Sequence, residues 1–480
     1  MPQYMSPGVY VEEVPSAIKA IAGVSTSTAG FIGTFGGAVS VPGDPVTDAN
    51  VGNGDGAKKV FDLPTYPVSE NPGTYRVRVN GVPVPADEVT LENDDVNKVS
   101  QVTFDTAPTP VAPATTVPVT VDYLPLVGFK VAPVSQPKLC TNFTEFKRHF
   151  GDFSTDRAQR NLAHAVYGFF NNGGSRCYVM RLASPSAITV NALGPFEAID
   201  EIAIVAAPGV TSDAARDALV THCRVRTQDR FLILDSGPDM DDADGFLDTG
   251  LFKAGTPNTG VPPNTDFAAF YFPWIRVFDP AIKALDPAGD GLVYAPPSGH
   301  VAGIYARVDT ERGVHKAPAN EVVLGALGLR YSVSKAVQDG LNPQGVNVIR
   351  EMNGNIRVWG ARTVGGDANA DLKYINVRRT LLFLRESIDE GTQWVVFEPN
   401  TAALWQKITR NVTAFLLNVW RTGALFGNTP AEAFYVKCDA ETNPPELREL
   451  GQVVTEIGVA IVRPAEFVIF RISQWTAPGK

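Results

Sequence analysis

Ile202-Ala-Ile-Val-Ala206 and Phe231-Leu-Ile-Leu234 are two short apolar runs, and the segment between them, capped near Ser212, keeps helical spacing to about Arg226. Apolar runs joined by a helix-length connection predict a strand, helix, strand unit of the parallel type. The pattern continues on the N-terminal side. Cys177-Tyr-Val-Met-Arg-Leu182 reads as a strand, and before it a helix carries Leu162, Val166, Phe169 and Phe170 on one side until Gly173-Gly174 ends it. A further helix begins after Asn142, with Glu145 three residues on in a capping-box arrangement. These elements predict an α/β middle domain, residues 26–43 and 126–340.

The missing piece of that range has another character. From Asp44 to Pro125 helical periodicity vanishes, and short alternating runs take over: Tyr75-Arg-Val-Arg-Val79, Val99-Ser-Gln-Val-Thr-Phe104 and Val117-Pro-Val-Thr-Val-Asp-Tyr123. Asn80-Gly81 is a hairpin signal. Residues 44–125 therefore read as an inserted all-β domain of sandwich type, with the α/β pattern resuming at Val131.

In the last third, strands are expected at Val346 to Ile349, Ile356 to Trp359 and Trp394 to Phe397. One helix carries Val377, Leu381, Leu384 and Ile388, and a longer one runs from about Thr401 to Arg421. On the longer helix Leu404, Ile408, Val412, Phe415 and Val419 recur at three- and four-residue steps, giving one apolar face. Gln406, Lys407, Arg410, Asn411 and Asn418 are read onto the other. Residues 341–462 are expected to form a C-terminal α/β domain, making the whole an α+β / α/β multidomain chain. Both ends carry extra strand patterns. Val9, Tyr10, Val11 and Glu12 alternate behind a Pro7-Gly8 turn on a small, polar leash within residues 1–25, and Phe467-Val-Ile-Phe-Arg-Ile472 is apolar on both faces within residues 463–480. A strand on a leash needs an edge to pair with.

Composition narrows the function. The 480 residues are 44% hydrophobic and 19% charged, with a formal net charge of −10. That length predicts two or three packed domains, and the low share of charge leaves neutral surface for contacts between subunits. Phosphate binding needs clustered cations, and the 41 Lys and Arg are scattered, so no nucleic-acid partner is expected. Cys140, Cys177, Cys223 and Cys438 have no CxxC spacing and read as buried thiols in a reducing compartment. No signal-peptide pattern and no apolar stretch of membrane-spanning length is present, so synthesis in the cytoplasm is expected without direct membrane insertion.

Catalytic and cofactor signatures fail on spacing. None of His149, His164, His222, His300 and His315 falls in an HExxH pair, and neither a GxSxG elbow nor a GxxxxGK[ST] phosphate loop occurs. Ser298 near His300 belongs to a loop entering a helix. In the acidic run Asp239, Asp241, Asp242 and Asp244, Gly245 arrives one position too late for an EF-hand, and Asp48, Asn50, Asn53 and Asp55 miss the same register. Gly52-Asn-Gly-Asp-Gly56 lacks a following amphipathic helix and reads as a turn. No enzyme activity, cofactor or metal is expected; a hydrolase is a remote alternative.

Pro7-Gly-Val-Tyr-Val-Glu-Glu13 followed by Gly23-Val-Ser-Thr-Ser-Thr-Ala-Gly-Phe-Ile-Gly33 resembles the start of contractile tail sheath proteins, found in contractile phages, R-type tailocins and extracellular contractile injection systems. Tyr374-Ile-Asn-Val-Arg-Arg379, Glu386 through Asn400, Leu404-Trp405, and Ile457-Gly-Val-Ala460 through Arg463-Pro-Ala-Glu-Phe-Val-Ile-Phe-Arg471 are similar to the C-terminal domain of that family. A weaker likeness runs through Phe169 to Tyr178, Pro296 to Tyr305 and Lys316 to Asn320; residues 44–125 have no counterpart.

The resemblance implies a structural subunit that polymerises as stacked hexameric rings around an inner tube and contracts to drive the tube through a cell envelope. It implies a sheath-type C-terminal domain with swapped terminal strands, in which Val9, Tyr10, Val11 and Glu12 at one end and Phe467, Val468, Ile469, Phe470 and Ile472 at the other join the sheets of neighbours. It further implies inner-tube contact through the long helix, here Gln406, Lys407, Arg410 and Asn411. The implied partners are further copies of the chain, the tube protein, and baseplate and tail-terminator proteins. Such a subunit is made in the bacterial cytoplasm and assembled in a virion tail or a free contractile particle. A second possibility is that the 44–125 insert also binds a host surface or glycan.

Overall fold

The computed structural model describes residues 20–109 and 116–471. Val9, Tyr10, Val11, Glu12 and Ile472 lie outside the described residues. The chain divides into two compact units. Of the described residues, 20–24 join Phe383–Val462 in the smaller, and Ser25–Leu382 with 463–471 make the larger.

The larger unit is built on a nine-stranded sheet. Its order is Lys138–Cys140, Cys177–Leu182, Ala29–Thr34, Ile204–Ala206, Phe231–Asp235, Ala268–Phe272, Val346–Met352, Asn355–Val358 and Glu321–Val322. From Cys177–Leu182 to Val346–Met352 every pairing is parallel, and the outer strands add antiparallel pairs. The inner strands are buried on both faces: all of Ala29–Thr34, Phe231–Asp235 and Ala268–Phe272 are inaccessible or nearly so. This is why they read as continuous apolar runs.

The expected unit between Ile202 and Leu234 is present, with strands Ile204–Ala206 and Phe231–Asp235 in parallel register. Its helix has the expected extent in two parts: Asp213–Thr221, after Ser212, is α-helical, and His222–Thr227 widens into a π-helical turn closed by Gln228 in the left-handed region. Asn142 caps helix Phe143–Phe150 by accepting from the Glu145 amide at 3.0 Å, and the Glu145 carboxylate reaches back to the Thr141 amide at 2.7 Å. The capping-box residues therefore act as expected, one position wider than the usual arrangement.

Strands Val346–Met352 and Asn355–Val358 belong to this large sheet. The partition drawn at 340/341 from sequence thus cuts through one hydrogen-bonded layer; the chain passes from the larger unit to the smaller at Leu382 and Phe383 instead, inside helix Ile375–Thr392.

Between Val46 and Tyr123 lie two antiparallel sheets. Val46–Gly54, Val117–Tyr123, Arg76–Val79 and Val82–Pro83 form one, and Val60–Asp62, Val99–Phe104 and Val89–Asp94 the other. Val117, Val119, Val121 and Tyr123 point inward on alternate positions, into an apolar cluster shared with Phe61, Val77, Val89, Leu91, Val102 and Phe104. At the hairpin, Asn80 and Gly81 both take positive φ, 51° and 78°, as a two-residue turn between paired strands requires. An antiparallel ribbon, Ala38–Pro42 with Leu126–Lys130, brackets the whole segment.

In the smaller unit, helix Ala402–Arg421 packs on strand Phe434–Lys437, which pairs antiparallel with Glu456–Val459. The strand expected at Trp394 to Phe397 is absent. Gln393–Val395 is a 3-10 turn instead, and Phe397 sits at φ 69° with its ring fully exposed. Four apolar residues in a row carry no periodicity that separates a strand from a frayed helix end. Here Trp394 and Val395 fold inward beside the helices and their followers turn out.

Candidate interaction surface

The long helix begins after Thr401, whose extended backbone (φ −131°, ψ 161°) marks the cap. Leu404, Trp405, Ile408, Val412, Phe415, Leu416 and Val419 are buried in the core of the smaller unit, with Ile21, Leu384, Leu425 and Phe434. Gln406, Lys407 and Arg410 are exposed on the opposite side. Asn411 is not: it is only 8% accessible. The side-chain type suggested an outward residue, but position 411 follows 404 and 408 and precedes 415, on the buried stripe itself. Asn411 therefore offers no surface to a tube, and that assignment is corrected.

Beside the helix runs a groove of about 640 Å³. Gln406, Thr409, Arg410, Thr413, Ala414 and Leu417 form one wall, and Val436, Lys437, Cys438 and Asp439 the other. Lys437 pairs with the Glu441 carboxylate, which raises its pKa. The second wall continues the strand Phe434–Lys437, one half of a sheet with only two strands among the described residues. Along these two strands the outer edges have no ladder partner among the described residues, apart from a single bridge between Leu425 and Ile461 just past the second strand, and such edges are templates for an added strand. The ladder stops at a defined place: the Asn443 side chain accepts from the Val454 amide at 2.7 Å and donates to its carbonyl at 3.0 Å.

The sequence reading missed the groove because it weighed one helix face only. Gln406, Thr409 or Arg410, Thr413 and Leu417 recur at three- and four-residue steps too, and that second periodicity was the available signal.

Phe467, Val468, Ile469 and Phe470 take no part in any ladder, and their accessibilities are 70, 68, 79 and 83%. Their sequence favours a strand, and no described edge of their own chain pairs with them. The four stand exposed in a row, which single surface apolar residues do not.

Elsewhere, polar clusters are committed to structure. Ser298 donates its hydroxyl and its amide to the two Asp235 oxygens, at 2.7 and 2.9 Å, and Gly209 donates to the same carboxylate at 3.0 Å. Burial pushes Asp235 up to about 6 against these bonds. His300, two residues on, is buried against helix Arg157–Asn171, and burial with the nearby His164 pushes it down to about 3. Ser298 is thus bonded to a carboxylate, with no bond to that imidazole. Asp239 and Asp241 face Arg330 at 2.8 and 3.6 Å, and Asp242 accepts from the Asp244 and Phe246 amides. Among the described residues no cluster of three His, Cys, Asp or Glu is placed to hold a metal, and no helix is long and apolar enough to cross a membrane.

Comparison with known proteins gives a consistent picture. The model of the phage tail sheath protein central domain matches residues 191–364, and that of the phage tail sheath C-terminal domain matches 367–474. A putative prophage major tail sheath protein of Pseudomonas aeruginosa is 28% identical over 230 residues, 45% of this chain and 57% of that protein. The tail sheath protein of Burkholderia phage BcepMu is 27% identical over 200 residues, 40% of this chain and 41% of that protein. The chain thus spans about half the length of the curated relatives it matches. Among solved structures, the sheath of the extracellular contractile injection system PVC in its contracted state superposes with a TM-score of 0.63 at 21% identity, over 99% of both chains. The contracted helical sheath of the anti-feeding prophage gives 0.59 at 23%, over 98% of this chain and 99% of that one. These likenesses are in fold.

Proposed function

Because the chain belongs to the contractile tail sheath family, we propose that it is a structural subunit that polymerises around an inner tube and contracts, with no catalytic step of its own. The observation that carries the reading is a pair of features in one chain: a two-stranded sheet with open edges, and the unpaired apolar run Phe467 to Phe470. A strand from one copy laid on the edge of another supplies main-chain hydrogen bonds and fills alternate side-chain pockets. The groove beside Phe434–Lys437 suits such an added strand. Gln406 and Arg410, assigned by resemblance to the tube, line that groove, so on this reading they serve the neighbour's strand, while Lys407 stays free for the tube.

Burying four large apolar side chains gains roughly 6 to 12 kcal/mol, and ordering a segment of about six to eight residues costs a similar amount at about 1 to 2 kcal/mol each. The balance favours docking only onto a preformed edge, so growth proceeds from a baseplate, and the tube and tail-terminator proteins are the remaining partners. Contraction then exchanges one packing of the lattice for another of lower free energy, with the exchanged strands as ties. The subunit is made in the bacterial cytoplasm, and residues 44–125 form an accessory all-β module on the particle.

Electron microscopy of the chain co-expressed with its tube and baseplate proteins tests this. Long and short tubes of two diameters are expected. Material that stays a single chain under every nucleating condition overturns the reading.

A further inference from the structure

Four residues after Val462, whose amide donates to the Ala424 carbonyl at 3.2 Å, the C-terminal segment is gripped by one side chain. Glu466 accepts from Arg362 in a bidentate pair, Nε to Oε1 at 2.8 Å and a terminal nitrogen to Oε2 at 2.9 Å. The Tyr374 hydroxyl donates to Oε2 at 2.9 Å and the Asn342 amide to Oε1 at 2.8 Å. Two-pronged guanidinium–carboxylate pairs with further donors are among the strongest and most directional contacts a side chain makes.

The receptor is braced by bonds that do not involve the carboxylate. Arg362 is 3% accessible, and the Asn347 side chain holds its backbone at both ends, accepting from its amide at 2.8 Å and donating to its carbonyl at 2.8 Å. Asp367 and the Asn342 carbonyl take the remaining guanidinium nitrogen. Behind it, Gly345 at φ 83° lies so close to the next turn that a Cβ would stand 2.3 Å from the Thr363 carbonyl oxygen, so the turn tolerates only glycine. The segment entering the receptor is stiff as well: Pro464 restricts Arg463 to extended backbone, and the Glu466 amide turns back to the Pro464 carbonyl at 3.1 Å. The change is abrupt. Glu466 is held by four hydrogen bonds, and its neighbour Phe467 is 70% accessible.

We propose that this clamp fixes the residue at which the C-terminal segment leaves its own subunit, so that Glu466 is the positioning residue that sets the register and reach of the exchanged strand. The inference rests on the reading that Phe467 to Phe470 pair with a neighbour. Within it, the clamp keeps the tie from lengthening residue by residue when the lattice is pulled.

Three full-length variants and one truncation test it, each read by amide exchange on the free subunit and by sheath length in electron micrographs. E466A leaves the buried Arg362 guanidinium without its carboxylate and is expected to lower the subunit's melting temperature by about 2 to 6 °C while it stays folded, to speed exchange at residues 463–467 by about ten-fold or more, and to shorten or abolish sheaths. E466Q and Y374F, which each keep part of the hydrogen bonding, are expected to fall between E466A and the parent. A chain ending at Glu466 is expected to form no sheath while exchange at 463–466 stays slow. If that truncated chain polymerises normally, the strand-exchange reading fails; if it does not, and E466A still builds sheaths of parental length, the clamp proposal is overturned and the exchange reading survives. Should E466A fail to fold, E466Q and Y374F decide: sheaths of parental length in both overturn the proposal.

Discussion

Between Val46 and Tyr123 seven strands in two sheets close over one apolar cluster, whereas Phe434–Lys437 and Glu456–Val459 stand as a pair against a single helix. In the first region one edge of each sheet is short and the longest is interrupted: Val82–Pro83 has two residues and a proline, Val60–Asp62 has three, and Val46–Gly54 is broken by two register shifts, as protected edges are. The second leaves its edges open and sets a groove beside one of them. Two strands alone are marginal in water. One β region is therefore complete within its chain, and the other has the form of a sheet awaiting further strands.

The largest test of that contrast uses buried side chains of equal inaccessibility. Phe61 and Leu416 are both 0% exposed. Phe61→Ala should cost about 3 to 5 kcal/mol and Leu416→Ala about 2 to 5 kcal/mol in the stability of their own regions, measured by denaturant titration with a local probe in each. Their consequences should diverge: F61A loosens residues 46–123 and leaves polymerisation intact, and L416A abolishes polymerisation. Sheath loss in F61A would show that the β segment is part of the lattice.

Acid should separate the regions next. His222 and His300 lie in the larger unit; neither residues 44–125 nor residues 383–462 contain a histidine. Burial, helped by Arg230, pushes His222 down to about 4, and burial with His164 pushes His300 down to about 3. Lowered values mean that the unfolded chain binds these protons first. The stability they lend is complete above about pH 6.5 and is lost as pH falls toward the folded values, near 2 kcal/mol each by pH 5 by order-of-magnitude linkage; Asp235, raised to about 6 in the same unit, takes up its proton in this window and offsets about 1 kcal/mol, so the net loss remains. Melting followed from pH 7 to 5 should show the nine-stranded sheet weakening while the 46–123 sheets and the smaller unit hold. Parallel losses in all three would place the titrating groups elsewhere.

Which parts were legible in the sequence follows from where the signal is local. Cys177–Leu182, Val99–Phe104 and Val117–Tyr123 fall where runs of apolar or alternating residues put them, because strand burial writes itself into period and length. The Asn80-Gly81 turn and the Asn142 cap were equally readable, since each depends on side chains a few residues apart. Non-local pairing was not. Nothing in Val346–Met352 announces that it completes a sheet begun at Ala29, so the domain boundary was drawn too early. At the interaction surface the exposed Lys407 and Arg410 could be read from helix period, yet Asn411 was misjudged by residue type. The wall Val436–Asp439 and the Arg362 receptor for Glu466, 104 residues away along the chain, come together only in the fold.

The groove itself gives a smaller, sharper test. Ala414 is exposed on its helix wall. Ala414→Trp puts an indole where an added strand would lie while touching no buried position. The free subunit should melt within about 1 °C of the parent, and sheath yield should fall by about ten-fold, equivalent to about 1.4 kcal/mol per contact. Unchanged yield would move the docking edge to Glu456–Val459.

The smallest effect belongs to the charges of residues 46–123. Arg78 meets Asp122 at 2.6 Å and Asp48 at 2.8 Å, and Asp48 is 75% exposed. The hydrogen bond from Arg78 is the largest influence on Asp122 and holds it below the usual carboxylate range against the opposing effect of burial. Partly exposed pairs of this kind contribute about 0.2 to 1 kcal/mol, and salt screens them. Arg78→Ala should therefore lower the stability of residues 46–123 by less than about 1 kcal/mol, and the loss should shrink further in about 0.5 M salt. A penalty rivalling that of F61A would mean that the seven strands depend on their ion pairs rather than on the apolar cluster between the sheets. Residues 46–123 would then lack the independence on which their contrast with the open two-stranded sheet depends.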